Sequence, residues 1–396
     1  MTHKRIKWAM IGGALDAMIG PIHRHAAWLD NQYELVAGAF SRHADKNQQA
    51  AEAFGVQPNR CYDNYEQLIA SEMTLPESER IKVLSIVTPN DQHFPIAEAA
   101  LRAGLDIILE KPITCTLQQA RALQALAKTN NRQICLLYTY AGYPMLKEAR
   151  QRIQAGQIGA IKRIKVTFTQ GWLNEGSQSN IWRQDPKTSG PSCTMADIGV
   201  HAFHLTEYLT GAKATAIAAD LNHAMHNHQL DDDGAMLLRY DNGAKGTLIA
   251  SQIAVGEKAN LRIEIYGETG TISWQHLHSN ELHLQLVGKP HQVLLAGKDS
   301  EDISDIAKAN CRTPAGHPEG YLEAFANHYH NFAKHIQSLL GQGKYDVKTY
   351  DYPSIAEGVR GLEFIEAVIR SNQKNTAWVS LNTTVEADSN ENASIL

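Results

Sequence analysis

Five short apolar runs punctuate the first third of the chain: KWAMI (7–11), ELVAGAF (34–40), KVLSIVT (82–88), LDIILE (105–110) and QICLLY (133–138). Each is apolar almost throughout, as a strand covered on both faces must be. The segments between them carry helical spacing. HFPIAEAALRAG sets Phe94, Ala97 and Leu101 on one face and stops at Gly104, a residue suited to the left-handed turn that ends a helix. TLQQARALQALAK repeats Leu117, Ala120, Leu123 and Leu126 behind Thr116, a good N-cap. Strand and helix alternating in this way predict a parallel sheet with helices on both sides.

After about residue 145 the pattern changes. One helical segment, PMLKEARQRIQAGQIG, leads into longer runs such as IKRIKVTFTQGW, GAMLLRY and NLRIEIYG. Several alternate polar and apolar residues, with turn signals between them, and predict a mostly antiparallel sheet. A chain of 396 residues suits two cores rather than one. The expected division is residues 1–140, residues 141–380 and a polar, disordered tail from 383 to 396. With 37 basic and 42 acidic residues and no basic block, nucleic acid and anionic membrane are excluded as partners. No apolar run is long enough to cross a membrane, and no signal-peptide core follows Met1. Five scattered cysteines without a CxxC pair point to reduced thiols in the cytoplasm.

The turn after the first run is unusual. In MIGGALDAMIGPIHRHA (10–26), Gly12 and Gly13 follow the strand, and the next glycine, Gly20, comes seven residues later. A dinucleotide site needs a strand that delivers the chain, small residues that let backbone approach phosphate, and a helix N-terminus aimed at the anion. Gly12 and Gly13 provide the turn, and Gly20 with Pro21 opens a helix. Residues Ala14 to Ile19 are inserted between them and are expected to offer backbone amides, which of them being open. The expected class is therefore α/β, with an N-terminal Rossmann domain. NAD sites favour an acid just after the second strand. Here Ser41 and Arg42 stand there, a hydroxyl and a guanidinium that suit a 2′-phosphate, so NADP is favoured over NAD while NAD stays open.

Two further stretches carry chemistry. ILEKPIT (108–114) ends a strand in Glu110, Lys111 and Pro112 at the carboxyl edge of the sheet, where such folds bind ligands. DIGVHAFHL (197–205) spaces Asp197 and His201 four apart, on one face of a predicted helix. A carboxylate beside an imidazole orients it for general acid–base work.

With TPNDQH (88–93), these segments resemble, in content and order, the glucose–fructose oxidoreductase/inositol dehydrogenase (Gfo/Idh/MocA) family over roughly residues 4–370. The resemblance implies a Rossmann domain, then an α/β domain whose large open sheet often forms a homodimer or homotetramer interface. It also implies NAD(P)-dependent oxidation or reduction of a sugar, cyclitol or related polyol. Lys111 would hydrogen-bond the reacting oxygen, His201 would exchange its proton, and Asp197 would position the substrate hydroxyl or His201. Thr88, Pro89, Asn90 and His93 would line the nicotinamide side, with Glu110 near its ribose. The insertion between Gly13 and Gly20 departs from the tight glycine turn.

Carbohydrate sites pair aromatic faces with hydrogen-bonding groups. Tyr140, Tyr143, Gln170, Trp172, Trp182, Arg183 and His317 are candidates on the substrate side, His317 because PAGHPEG is a tightly shaped loop ahead of a helix. NHAMHNHQLDDD (222–233) gathers His223, His226 and His228 with three aspartates. Its spacing fits no zinc pattern, and it reads as a solvated hairpin loop, so no metal is expected. Two other functions fit the same residues: an NAD-dependent glycosidase working by transient oxidation, and a cofactor-binding regulator without catalysis.

Overall fold

The structure, a computed structural model, describes residues 4–174, 181–225 and 228–381. The tail expected from 383 and His226 lie outside these residues. The first sheet has five parallel strands, β1 (Ile6–Gly12), β2 (Tyr33–Ala39), β3 (Val83–Val87), β4 (Asp106–Leu109) and β5 (Ile134–Leu136), in the order β2-β1-β3-β4-β5. Every residue of β3, β4 and β5 is buried, which is why these strands read as unbroken apolar runs. The helices between them form where the spacing predicts. His93–Arg102 is followed by Gly104 at φ +81°, and Leu117–Thr129 is capped by the Thr116 side chain, which accepts from the Gln119 N–H.

The second sheet has nine strands: β6 (Ile161–Thr169), β7 (Ala214–Asn222), β8 (Asp233–Tyr240), β9 (Lys245–Ser251), β10 (Asn260–Gly267), β11 (Gly270–Gln275), β12 (Glu281–Leu286), β13 (Gln292–Leu295) and β14 (Val379–Ser380). Their order is β13-β12-β11-β10-β6-β9-β8-β7-β14. All neighbours are antiparallel except β6 and β9. That exception matters for the site: β6 and β9 both end on the same side, so Gln170 and Gln252 leave the sheet together, joined by the Gln170 N–H donating to the Ser251 carbonyl at 2.8 Å. Burial alternates strictly along β8, the mark of one covered face.

The chain returns to the first sheet after residue 320. Tyr329, on the Tyr321–Leu339 helix, meets Ser85 of β3 at 3.0 Å and accepts at its carbonyl from the Tyr33 hydroxyl at 2.9 Å. Residues of both sheets share one buried cluster, so the two halves are welded rather than linked by a hinge of exposed chain.

Candidate active site

A cavity of about 830 Å³ opens along the carboxyl edge of the first sheet, roofed by residues from the end of β6 and from the segments after β5 and β9. That volume lies within the usual range for ligand pockets. The stretched glycine loop forms one wall. Gly12 sits at φ +80° with its α-carbon against β3, where a Cβ would lie 2.6 Å from the Val87 carbonyl oxygen. Gly13 and Gly20 press together: a Cβ on Gly20 would come 2.6 Å from the Gly13 oxygen. The insertion therefore closes at its neck, and Ala14 to Ile19 swing out as a lobe from which Asp16, Ala17, Met18 and Ile19 line the cavity. The helix Gly20–Leu29 still begins where a tight turn would put it, with Pro21 in its first turn. Arg24 of that helix donates to the Gly13 carbonyl at 2.5 Å and fixes the neck.

The edge beyond the glycines fits a dinucleotide. The Thr88 hydroxyl oxygen is buried, lines the cavity and has no partner among the described residues. His93 spans the Pro112 and Thr88 carbonyls at 2.8 and 3.0 Å, bracing the two strand ends, and Asn90 donates to the Ser189 carbonyl at 3.1 Å. The Lys111–Pro112 bond is cis. Glu110 accepts from the Lys111 N–H and meets His23 at 3.0 Å, and His23 in turn contacts the Tyr329 hydroxyl at 2.7 Å. Burial opposes the charge of Glu110, yet the bond from His23 and the nearby Lys111 hold its carboxyl below the usual range. His23 and Tyr329 carry no sequence signal, since each is a lone polar residue on an amphipathic helix. Ser41 and Arg42 follow β2 at the same edge but do not line the cavity. The Ser41 hydroxyl accepts from the His43 N–H at 3.2 Å, and Arg42 is exposed.

The Lys111 ammonium donates to Asp197 Oδ1 at 2.6 Å and to the Asp197 carbonyl at 2.7 Å. The other carboxylate oxygen, Oδ2, accepts from Gln252 Nε2 at 2.7 Å. Burial pushes the Asp197 carboxyl up, but Lys111 and Arg183 outweigh it and hold the group well below the usual carboxylate range. This corrects the expectation that Asp197 orients His201. The two are not hydrogen-bonded: Lys111 and Gln252 take the carboxylate oxygens, on the π-helical turn Met195–Gly199 that runs into the α-helix Val200–Thr210. His201 instead stands edge-on to Tyr140 and Tyr138, with ring centroids 5.0 and 5.6 Å away. Burial, then the Lys111 charge, push its imidazole well below the usual histidine range, so it is neutral near pH 7.

Tyr140, Gln170, Trp172 and Arg183 line the cavity with Lys111, Asp197 and His201, as expected. Trp182, another candidate, also lines it, and Phe168, Tyr321 and Lys258 join them. Arg183 lies over the Trp182 ring at 4.5 Å, and Trp172 donates through Nε1 to Gln170 at 3.0 Å, which fixes the indole beside the cavity. Two expectations need correction. Tyr143 caps the Pro144–Gln154 helix and turns away from the cavity, its hydroxyl 3.0 Å from His276 Nε2 and its ring packed on Trp274. His317 is exposed on the Pro314 turn and off the cavity. The shape of that loop serves Glu319, which accepts from the Arg312 and Thr313 N–H groups at 2.5 and 2.8 Å at the head of the Tyr321–Leu339 helix. Segment 222–233 is also no mere solvated loop. Asp231 and Asp232 are buried, Asp231 accepting from the Cys193 and Met195 N–H groups and Asp232 from those of Ala224 and Met225.

Among known proteins, the description "Oxidoreductase family, NAD-binding Rossmann fold" matches residues 6–138, and "GFO/IDH/MocA C-terminal domain" matches residues 146–273. An uncharacterized oxidoreductase of Bacillus subtilis is 33% identical over 384 residues, covering 95% of this chain and 97% of its own. The structure of an inositol dehydrogenase homolog from Azotobacter vinelandii, complexed with NADH and myo-inositol, superposes with a TM-score of 0.88 at 32% identity, over 95% of this chain and 98% of that one. A levoglucosan dehydrogenase of Pseudarthrobacter phenanthrenivorans is 28% identical over 227 residues, covering 52% of this chain and 58% of that protein.

Proposed function

Because this chain belongs to the Gfo/Idh/MocA family of NAD-binding oxidoreductases, we propose that it interconverts a hydroxyl and a keto carbon on a sugar, cyclitol or related polyol. The observation that carries this reading is that Lys111, clasped by Asp197, and the neutral His201 line one cavity beside the glycine cradle. Gly12, Gly13 and Gly20 would take the pyrophosphate, and Thr88, Pro89, Asn90, His93 and Glu110 would hold the nicotinamide end. The bound nicotinamide supplies the acceptor or donor of hydride.

The chain's own groups do the rest. An ammonium has three N–H bonds. Two of those of Lys111 are spent on Asp197, which leaves one for the substrate oxygen. That bond strengthens as negative charge builds on the oxygen during oxidation. His201 has Nδ1 buried without a partner among the described residues, so Nε2 is the nitrogen that takes the hydroxyl proton, or returns it in reduction. Trp172, Trp182 and Tyr140 offer aromatic surface to the C–H faces of a ring, and Gln170 and Arg183 meet its hydroxyl rim.

The Ser41–Arg42 pair supports a preference for NADP, with NAD accepted. Leu237 and Ile249 are exposed by 51% and 43% on the outer face of the second sheet, which supports assembly through that face. A screen of sugars, inositols, uronic acids, glycosides and 3-keto sugars with both cofactors, following the nicotinamide absorbance and glycoside cleavage, tests the reading. Turnover with at least one member in either direction is expected. Glycoside cleavage with no net change in absorbance would replace it with the glycosidase.

A further inference from the structure

Asp197 has two cations within reach of one oxygen. Lys111 Nζ is 2.6 Å from Oδ1, and Arg183 Nε is 3.9 Å from the same atom. A guanidinium binds a carboxylate best as a two-pronged fork, and turning the carboxylate to Arg183 would leave Lys111 with only its bond to the Asp197 carbonyl. Something must therefore hold the carboxylate in its present rotation. Gln252 does so from the far side. It is fully buried just past β9, and it does not line the cavity. Its Nε2 donates to Asp197 Oδ2 at 2.7 Å, and its Oε1 accepts from the Thr194 hydroxyl at 2.9 Å. An ionised carboxylate only accepts hydrogen bonds, so the amide nitrogen must face Asp197 and the amide oxygen Thr194. The backbone under this circuit is pinned too. The Gln252 N–H donates to the Asp232 carbonyl at 2.9 Å. Asp231 takes the Cys193 and Met195 N–H groups, one on each oxygen, both at 2.9 Å, where the π-helical turn carrying Asp197 begins.

We propose that Gln252 is a positioning residue that keeps Asp197 on Lys111 and off Arg183, with Thr194 and the Asp231 clamp fixing the frame it acts from. The proposal builds on the reading of Lys111 as the group that meets the reacting oxygen, but its test needs no substrate. The intact protein is treated with limiting acetic anhydride, and acetylation of Lys111 is measured by peptide mass spectrometry relative to the exposed Lys128. Gln252→Met keeps the length of the side chain and removes its hydrogen bonds to Asp197 and Thr194, with the longer ones to Gln170 and Cys193. Lys111 should then acetylate about tenfold faster, as expected when one charge-assisted bond is lost. Thr194→Val should act in the same direction and less. The double variant Gln252→Met/Arg183→Met should return Lys111 to its slow rate, because the competing cation is gone, a restoration that a misfolded protein would not show. An unchanged rate in Gln252→Met, or a fast rate that persists in the double variant, overturns the proposal. The substrate screen with both cofactors, run separately on the parent protein, bears only on the functional reading.

Discussion

Lys111 Nζ is held by both ends of a single residue, 2.6 Å from the Asp197 carboxylate and 2.7 Å from its main-chain carbonyl. The ammonium thus cannot follow its flexible stem, and its last N–H points at one place. Lys111→Ala should lower kcat/KM by about 10²–10³, the cost of removing one donor to a developing oxyanion. Reduced-cofactor affinity, read from tryptophan fluorescence, should stay within a few-fold. A variant that keeps full turnover would remove Lys111 from the chemistry.

As the proposed base, His201 should set the acid side of the reaction's pH range. Burial and Lys111 depress its imidazole well below the usual histidine value. A base so depressed stays unprotonated as pH falls through 6.5, so the acid limb of kcat/KM for oxidation should lie below that value. His201→Asn should remove this limb and cut kcat by about 10²–10⁴. A limb at the ordinary histidine value in the parent enzyme would show that this group is solvated in the working state.

The loop neck can be tested with one methyl group. Gly20→Ala places a Cβ 2.6 Å from the Gly13 oxygen, a clash between main-chain groups that no rotamer relieves. The helix start must move away from the turn. Stability should fall by about 1–3 kcal/mol, seen in urea unfolding, and the cofactor KM should rise by about tenfold or more if the amides at this helix start face the pyrophosphate. An unchanged KM would place the phosphates elsewhere on the lobe.

Much of this was legible beforehand because it is periodic or punctuated. The five strands of the first sheet are unbroken apolar runs, Thr116 and Gly104 mark helix ends, and EKP falls where a parallel strand stops. The errors share a cause. Asp197 and His201 look like a hydrogen-bonded pair, but the groups that take the carboxylate, Lys111 and Gln252, lie 86 and 55 residues away in the chain. Tyr143 takes its direction from Trp274, far along the chain, and the His317 loop from Glu319, whose carboxylate gathers the Arg312 and Thr313 N–H groups. Gln252 was silent for the opposite reason. It follows a strand with no motif around it, and only the parallel pairing of β6 and β9 brings it to the site.

The proposed preference for NADP rests on Arg42. It is exposed just past β2, with Ser41 held by Asn47, whose side-chain oxygen accepts from the Phe40 N–H at 2.7 Å and the Ser41 N–H at 3.4 Å. A guanidinium so placed gains from a 2′-phosphate and little from a bare ribose. Arg42→Ala should raise the KM for NADP by about tenfold, the worth of one charge-assisted bond, and change that for NAD less than twofold. Equal effects on both, or a parent enzyme that ignores NADP, would assign the residue to solvent.

Behind the site, His204 is buried between Tyr138, stacked at 4.3 Å, and Tyr208, at 5.6 Å, and neither ring nitrogen has a partner among the described residues. Burial, with help from His328, Lys213 and Arg150 and against Asp351, pushes it down to about 3, while His328 is pushed to about 4. The unfolded chain takes these protons near 6.5. Below that pH the unfolded state binds protons the native state refuses, so stability drops as pH falls, by up to about 1.4 kcal/mol per pH unit for each such histidine. The loss continues until the native groups themselves protonate. Phenylalanine keeps the ring and its stacking but cannot bind the proton, and it leaves no unpaired nitrogen in the core. His204→Phe should therefore match or exceed the parent in urea unfolding at pH 7, and its stability should fall less steeply between pH 6.5 and 4.5, saving at most about 2.7 kcal/mol over that interval. Parallel curves for the two proteins would mean that His204 is hydrated in solution and titrates as it does in the open chain.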